Sequence, residues 1–173
     1  MTTNTAEVST GYTRDTWPMA SGVLITDRDE KVLLVHPTYH KDRWLFPGGG
    51  MERAQKDTPQ RAAAREVAEE LGVALPVGQM LVSDWVMKDG RFFEELVFVF
   101  DGGVVEEETK ERFRTPDDEL RGWAFLDPGE AVARLAPPDA RRLQEALAAK
   151  KSGVPVYLEH GHPAPEQITG LVP

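Results

Sequence analysis

Three glutamates, Glu66, Glu69 and Glu70, stand close together in the run REVAEELG, from Arg65 to Gly72. Offsets of three and four residues bring side chains onto one helical face, so these carboxylates crowd one another if the segment is helical. As an i,i+4 like-charge pair, Glu66 and Glu70 cost roughly 0.2–0.5 kcal/mol on a solvated helix. Their place in the last turn adds an unfavourable interaction with the helix macrodipole. A helix selected for stability alone would carry lysine there. One reading is a solvated acidic face with Arg65 paired to Glu69. The other is a set of hard oxygen ligands for Mg²⁺ or Mn²⁺, which prefer carboxylates. A glycine run just upstream, Gly48, Gly49 and Gly50, favours the second reading.

The element that must hold these carboxylates is written in DTPQRAAAREVAEELG. Thr58 can cap, Pro59 suits the first helical position, alanine has the highest helix propensity, and Gly72 suits a left-handed C-cap. These signals predict a helix from Pro59 to Leu71, with Ala63, Ala64, Val67 and Leu71 as its apolar stripe. Upstream, MASGVLITD and KVLLVHP flank DRDE and predict an antiparallel hairpin, while RWLFPGGG reads as a short strand broken by Pro47 and the glycines. Downstream, GQMLVSDWVMKDGRFFEELVFVFDGG predicts two long strands joined at Asp89-Gly90. The consecutive apolar residues of LVFVF predict burial on both faces.

The run VVEEETKERFRTPDDEL reads as a strand end and an exposed loop, and RGWAFLD as another strand. A short and a longer helix follow in PGEAVARLA and PDARRLQEALAAK, and Val156 to Leu158 reads as a last strand before a proline-rich end. Strands enclosing a central helix, with more helices behind, predict an α/β fold, a sandwich with a mixed sheet. Residues 1–16 are polar and without periodicity and read as a flexible N-terminal arm, 17–160 as one domain, and 161–173 as a C-terminal tail.

The run GGGMERAQKDTPQRAAAREVAEELGV resembles the Nudix box, the signature of the Nudix hydrolases. Its second half matches at every specified position, from Arg65 through Glu66, Val67, Glu69, Glu70 and Gly72 to Val73. The first half departs: Met51 and Asp57 stand where the family has glycine and glutamate. Aligned from Pro47, PGGGME matches with Glu52 in the acidic position, and RAQKD lengthens the link by about two residues. Asp57 then replaces the glutamate that steadies loop and helix in the family.

The resemblance implies a Nudix-type α/β/α sandwich and hydrolysis of a diphosphate bond in a small nucleoside diphosphate derivative. ADP-ribose-like compounds, nucleotide-sugars and nucleoside triphosphates all fit. It further implies Glu66, Glu69 and Glu70 as metal ligands and catalytic groups, with Mg²⁺, or Mn²⁺ in its place, as cofactor. Arg65 is implied as the residue that orients a glutamate, and the Gly50 carbonyl as a further ligand. Gly49 and Gly50 would let the backbone approach the substrate. The base is expected to be either Glu66 or a carboxylate from outside the box, with Glu94, Glu95, Asp117, Asp118 and Glu119 as candidates.

Weaker candidates lie in HPTYHKDRW, where His36, Tyr39, His40, Lys41 and Arg43 gather near the expected pocket mouth. Tyr39 and Arg43 suit a base or a phosphate, and equally suit a solvated hairpin end. His160 and His162 alternate like a metal pair but have no obvious third ligand, so they read as surface residues. Trp44, Trp85 and Trp123 read mainly as core.

The absence of cysteine excludes a disulfide scaffold, a thiolate metal site and a cysteine nucleophile. A formal net charge of −9 argues against a general nucleic-acid binder, and hence against a capped-RNA substrate. It leaves small phosphorylated ligands open, because a bound cation reverses the local field. With no secretory-type start and no apolar run of about 18 residues, a cytoplasmic protein without a membrane partner is expected. Monomer and homodimer are both compatible. A nucleotide-sensing module with little turnover is the alternative to an enzyme.

Overall fold

The computed structural model describes residues 5–7, 13–39, 42–88, 94–116 and 118–165. The expected turn at Asp89-Gly90, together with His40, Lys41, Asp117 and the end of the tail, lies outside these residues. In the segment read as a flexible arm, β1 (Thr5–Glu7) and β2 (Thr13–Asp15) pair as an antiparallel ribbon. Strands of three residues offer too little alternation to register as a pattern.

The main sheet is built from β3 (Met19–Asp27), β4 (Val32–Pro37), β5 (Gly48–Gly50), β6 (Met80–Val86) and β7 (Glu95–Val105), with later strands at its edges. Helix α1 (Pro59–Leu71) follows β5, and the four-residue α2 (Glu107–Lys110) follows β7. Then come β8 (Leu120–Leu126), α3 (Pro128–Arg134), α4 (Pro137–Ser152), β9 (Val156–Glu159) and β10 (His162–Pro163). The strand order is β10-β9-β6-β7-β3-β4-β8, with β5 pairing to β3 as well.

Strand β3 is the axis of the sheet. One edge runs parallel to β7, from Met19↔Leu96 to Asp27↔Val105. The other edge is shared: β5 takes its first half, Ala20↔Gly50 to Gly22↔Gly48, and β4 meets it only at Thr26↔Val32. The predicted hairpin therefore exists as an antiparallel pair but diverges at once, because the glycine run occupies the edge that β4 leaves. The run expected to break a strand is itself a strand.

Alternation of side chains along the strands divides the core into two layers. Val23, Ile25, Leu33, Val35 and Phe100 pack with Val67 and Leu71 of α1. Leu24, Leu34, Val82, Val99 and Leu158 pack with Ala131 of α3 and with Leu143, Ala146 and Ala149 of α4. The result is an α/β/α sandwich on a mixed sheet, with Val99 of β7 buried in one layer and Phe100 in the other, while Leu96, Val97 and Phe98 of the LVFVF run are only partly buried. Full burial of each Val or Leu contributes about 1.5–3 kcal/mol.

Helix α1 starts and stops where the sequence places it. Thr58 is the N-cap, extended at φ −99°, and Gly72 closes the helix in the left-handed region at φ 68° with its N–H on the Ala68 carbonyl. Of the other sequence readings, Glu107–Lys110 forms a helical turn where a loop is expected. Pro137 and Pro138 begin α4, a place that proline suits.

Candidate functional site

The site is built where β5 crosses the end of α1, and Arg65 is its hub. One guanidinium nitrogen, Nη1, lies 2.9 Å from Glu66 Oε1 and 2.8 Å from Glu69 Oε2. The other, Nη2, donates to Asp57 Oδ2 at 2.9 Å and to the Gly50 carbonyl at 3.0 Å. Asp57 also accepts from the backbone N–H of Glu52 at 3.0 Å. One cation thus joins the loop, the glycine strand and the helix. The repulsion between Glu66 and Glu69 is offset by the charge between them.

The remaining glutamate reaches the strand directly, with Glu70 Oε2 accepting from the Gly48 N–H at 2.8 Å. The glycines permit these approaches. A Cβ at Gly49 would stand 2.5 Å from Glu66 Cδ, and one at Gly48, where φ is +144°, would stand 2.1 Å from the Ser21 carbonyl oxygen. Neither position admits a side chain without displacing the site or the sheet.

Electrostatics follow from this packing. Burial raises the Glu66 carboxyl above its ordinary pKa; Arg65 opposes the rise, while Glu69 and Glu119 add to it. The bond from Arg65, with that from the Glu52 N–H, holds Asp57 below the usual carboxylate range. Burial would lower the Arg65 guanidinium, but Asp57, Glu66 and Glu69 raise it. Arg65 therefore stays charged.

An open cleft of about 980 Å³ runs past the outer side of β5. Tyr39, Arg43, Gly49 and Gly50 all line it, as do Glu95, Arg141, Arg142 and His160 at its other end. Desolvation raises the Tyr39 hydroxyl, and the fields of Glu70, Glu119 and Glu66 reinforce this although the residue as a whole is well exposed. Of the pocket-mouth candidates, Tyr39 and Arg43 share this cleft with the glycine strand, His36 stacks on Trp44, and His40 and Lys41 lie outside the described residues.

The candidate bases separate in space. Glu119 lies within the field of Glu66, and its carbonyl accepts from Thr38 at the end of β4. Glu95 is partly buried at the other end of the cleft, where burial raises it and Arg142 draws it down. Glu94 accepts from the Trp17 indole at 3.4 Å, and Asp118 offers its carbonyl to Thr38 Oγ1 at 3.0 Å. Asp117 lies outside the described residues.

The chemistry of the donor set, three carboxylates and a glycine carbonyl beside an open cleft, suits a hard divalent cation. In the conformation described, Arg65 and the Gly48 N–H occupy these oxygens. Among the described residues, no group of three Asp, Glu or His side chains is gathered as a ready-made metal cage.

Some features escape the sequence reading. His162 is exposed in β10, but His160 is partly buried in the cleft wall, not a surface residue. Buried Asp84 binds Arg142 through Nε at 2.9 Å and Nη2 at 2.7 Å. The signal was an aspartate within the apolar run LVSDWV, which a core admits only with a partner. Trp44 and Trp123 pack on the two core layers, whereas Trp85 makes an edge contact with Trp17 at 5.7 Å.

The family model described as the NUDIX domain matches residues 16–147. Diphosphoinositol polyphosphate phosphohydrolase 3-alpha from Mus musculus is 46% identical over 56 residues, 32% of this chain and 33% of that protein. The match thus spans about a third of the length of these curated relatives. Among solved structures, a MutT protein from Methanosarcina mazei Go1 aligns with a TM-score of 0.64 at 18% identity, over 78% of this chain and 96% of the other. An ADP-ribose pyrophosphatase from Streptococcus suis aligns with a TM-score of 0.59 at 18% identity, over 83% and 99%. At these identities the structures speak for the fold. With the family model covering most of the chain, from the strands to α4, and the Arg65–Glu70 run seated on its glycine strand, the chain belongs to the Nudix hydrolase family.

Proposed function

We propose that this chain hydrolyses the diphosphate linkage of a small nucleoside diphosphate derivative by attack of water on phosphorus, with Mg²⁺ as cofactor and Mn²⁺ as a substitute. The observation that carries the reading is the Arg65 cluster, which draws Glu66 and Glu69 together against β5 at the edge of the cleft. Glu66, Glu69, Glu70 and the Gly50 carbonyl would hold the cation. Bound there, it would neutralise the diphosphate and acidify the attacking water.

The chain's own residues set the rest. Glu66 takes the water's proton: a half-buried carboxylate with a raised pKa is a better acceptor than an ordinary one. The new P–O bond forms as the bridging oxygen leaves with the other phosphate. Arg65 holds Glu66 and Glu69 in place, Asp57 holds Arg65, and Tyr39 and Arg43 bind substrate at the mouth. The substrate is a soluble small molecule, the protein a cytoplasmic monomer or homodimer without membrane or nucleic-acid partner. Among the described residues no helix is long and apolar enough to cross a membrane.

The test is a panel of nucleotide diphosphates assayed with Mg²⁺ and Mn²⁺, with products identified by mass. The Glu69→Gln, Glu70→Gln double variant should lose at least about a hundredfold in kcat, the range expected when electrostatic groups at a transition state are removed. Retained activity would overturn the mechanism. The occupied carboxylates favour one second reading, a nucleotide-sensing module. Thermal stabilisation by nucleotides without any turnover would select it.

A further inference from the structure

The far wall of the cleft contains polar groups that the proposed chemistry does not use. His160 adopts the left-handed backbone conformation at φ 53°, uncommon for a residue with a side chain, and Gly161 follows at φ 79°. This turn is pinned on three sides. The His160 N–H donates to the Trp85 carbonyl at 2.8 Å, Arg141 Nη2 donates to the His160 carbonyl at 2.9 Å, and the Gly161 N–H donates to Asp84 Oδ1 at 3.1 Å. A Cβ at Gly161 would lie 2.7 Å from the Pro138 carbonyl oxygen, so the turn after β9 and the start of α4 meet here backbone to backbone.

So tightly held a turn nevertheless leaves two buried side-chain atoms, His160 Nδ1 and Arg141 Nε, without a hydrogen-bond partner. Both residues line the cleft. An unmade hydrogen bond at a buried polar atom is costly, and together with a strained backbone at a cleft it points to a group supplied from outside.

The character of that group follows from charge. Arg142 is consumed by Asp84 and Asp139. Glu95, partly buried, stands at this end of the cleft in the fields of Arg142 and Asp139, and Arg141 lines the same cleft. At this end a polyanion would meet two carboxylates, Glu95 and Asp139, beside guanidinium groups that are already engaged, Arg142 by Asp84 and Asp139 and Arg141 by the His160 carbonyl. A sugar hydroxyl both donates and accepts, matching a carboxylate acceptor, a guanidinium donor and an imidazole that does either.

We propose that Arg141, His160 and Glu95 form a hydroxyl-binding subsite for the sugar attached beyond the diphosphate of a sugar-linked nucleoside diphosphate. The assignment rests on the diphosphate reading above and narrows its substrate class: inositol polyphosphates and nucleoside triphosphates, which put phosphate at that end, are disfavoured. A modest rotation of the His160 ring about its side-chain bonds presents Nδ1 to the cleft.

The test is equilibrium binding to the full chain without turnover, with ADP-ribose and ADP as probes and Ca²⁺, another oxygen-ligated cation, in place of Mg²⁺. The wild-type protein should bind ADP-ribose about tenfold more tightly than ADP, equivalent to about 1.4 kcal/mol. Glu95→Gln and His160→Gly, the latter suited to the positive φ, should each bring that ratio towards one. A defect in folding or in the diphosphate site would weaken both probes alike and leave the ratio. Equal affinities in the wild type, or a ratio unchanged in both variants, would overturn the subsite. Sugar-dependent binding without hydrolysis when Mg²⁺ is restored would instead keep the subsite and overturn the hydrolase reading.

Discussion

At the residue scale, Asp57 carries the departure of this chain from its family's motif. It stands where the family has a glutamate, yet it reaches both the Arg65 guanidinium and the Glu52 N–H. The shorter side chain suffices because Lys56, with φ +54°, turns the loop back towards the helix. With the folded-state pKa lowered, the contribution of Asp57 to stability is complete above the ordinary value of 3.8 and lost as the pH falls through the lowered one. Asp57→Asn should therefore unfold at a lower temperature than the wild type at neutral pH. Thermal melts at successive pH values should show the two converging in strong acid; a gap independent of pH would mean that charge is not the cause. The acidic cluster was legible in sequence as types and spacing. The route of Arg65 through Asp57 was not, because the lengthened link hides which carboxylate faces the arginine.

At the element scale, β5 is the instructive case. GGG carries no side chain, so neither alternation nor propensity marks it as a strand, and it pairs because its lack of Cβ atoms lets it lie between Ser21 and the end of α1. Gly49→Ala should push the Glu66 carboxylate out of place. A misplacement of about 1 Å can cost about a hundredfold in rate, so kcat should fall by that order. Circular dichroism should show the secondary structure retained. Full activity in this variant would show that the contact between β5 and Glu66 does not set the site. Helix α1, by contrast, was readable to its ends, because cap, first-turn proline and C-cap glycine are local signals that no distant contact opposes.

At the scale of the whole molecule, Asp84 ties β6 to α4 and to the turn after β9. It is fully buried, bound by Arg142 and by the Gly161 N–H. Replacing one member of a buried pair leaves the other's charge uncompensated, and Asp84→Ala should cost about 3–5 kcal/mol in denaturant unfolding. A loss below about 1 kcal/mol, the range of surface pairs, would show that the pair is hydrated in solution.

Sequence alone determined the fold class, the carboxylate helix and its limits, and the chemistry those carboxylates favour. These depend on local periodicity, capping and residue type, which neighbours in the chain decide. The Arg65–Glu69 pair follows from i,i+4 spacing, but tertiary structure decided that Glu66 and Glu70 meet the glycine strand. The parallel pairing of β3 with β7 joins residues 77 apart at Met19↔Leu96. It also decided that the glycine run is a strand, and that His160 and Arg141 stand in the same cleft as Tyr39 and Arg43. Such contacts are set by how the buried faces of distant segments pack, and no window of sequence contains both partners.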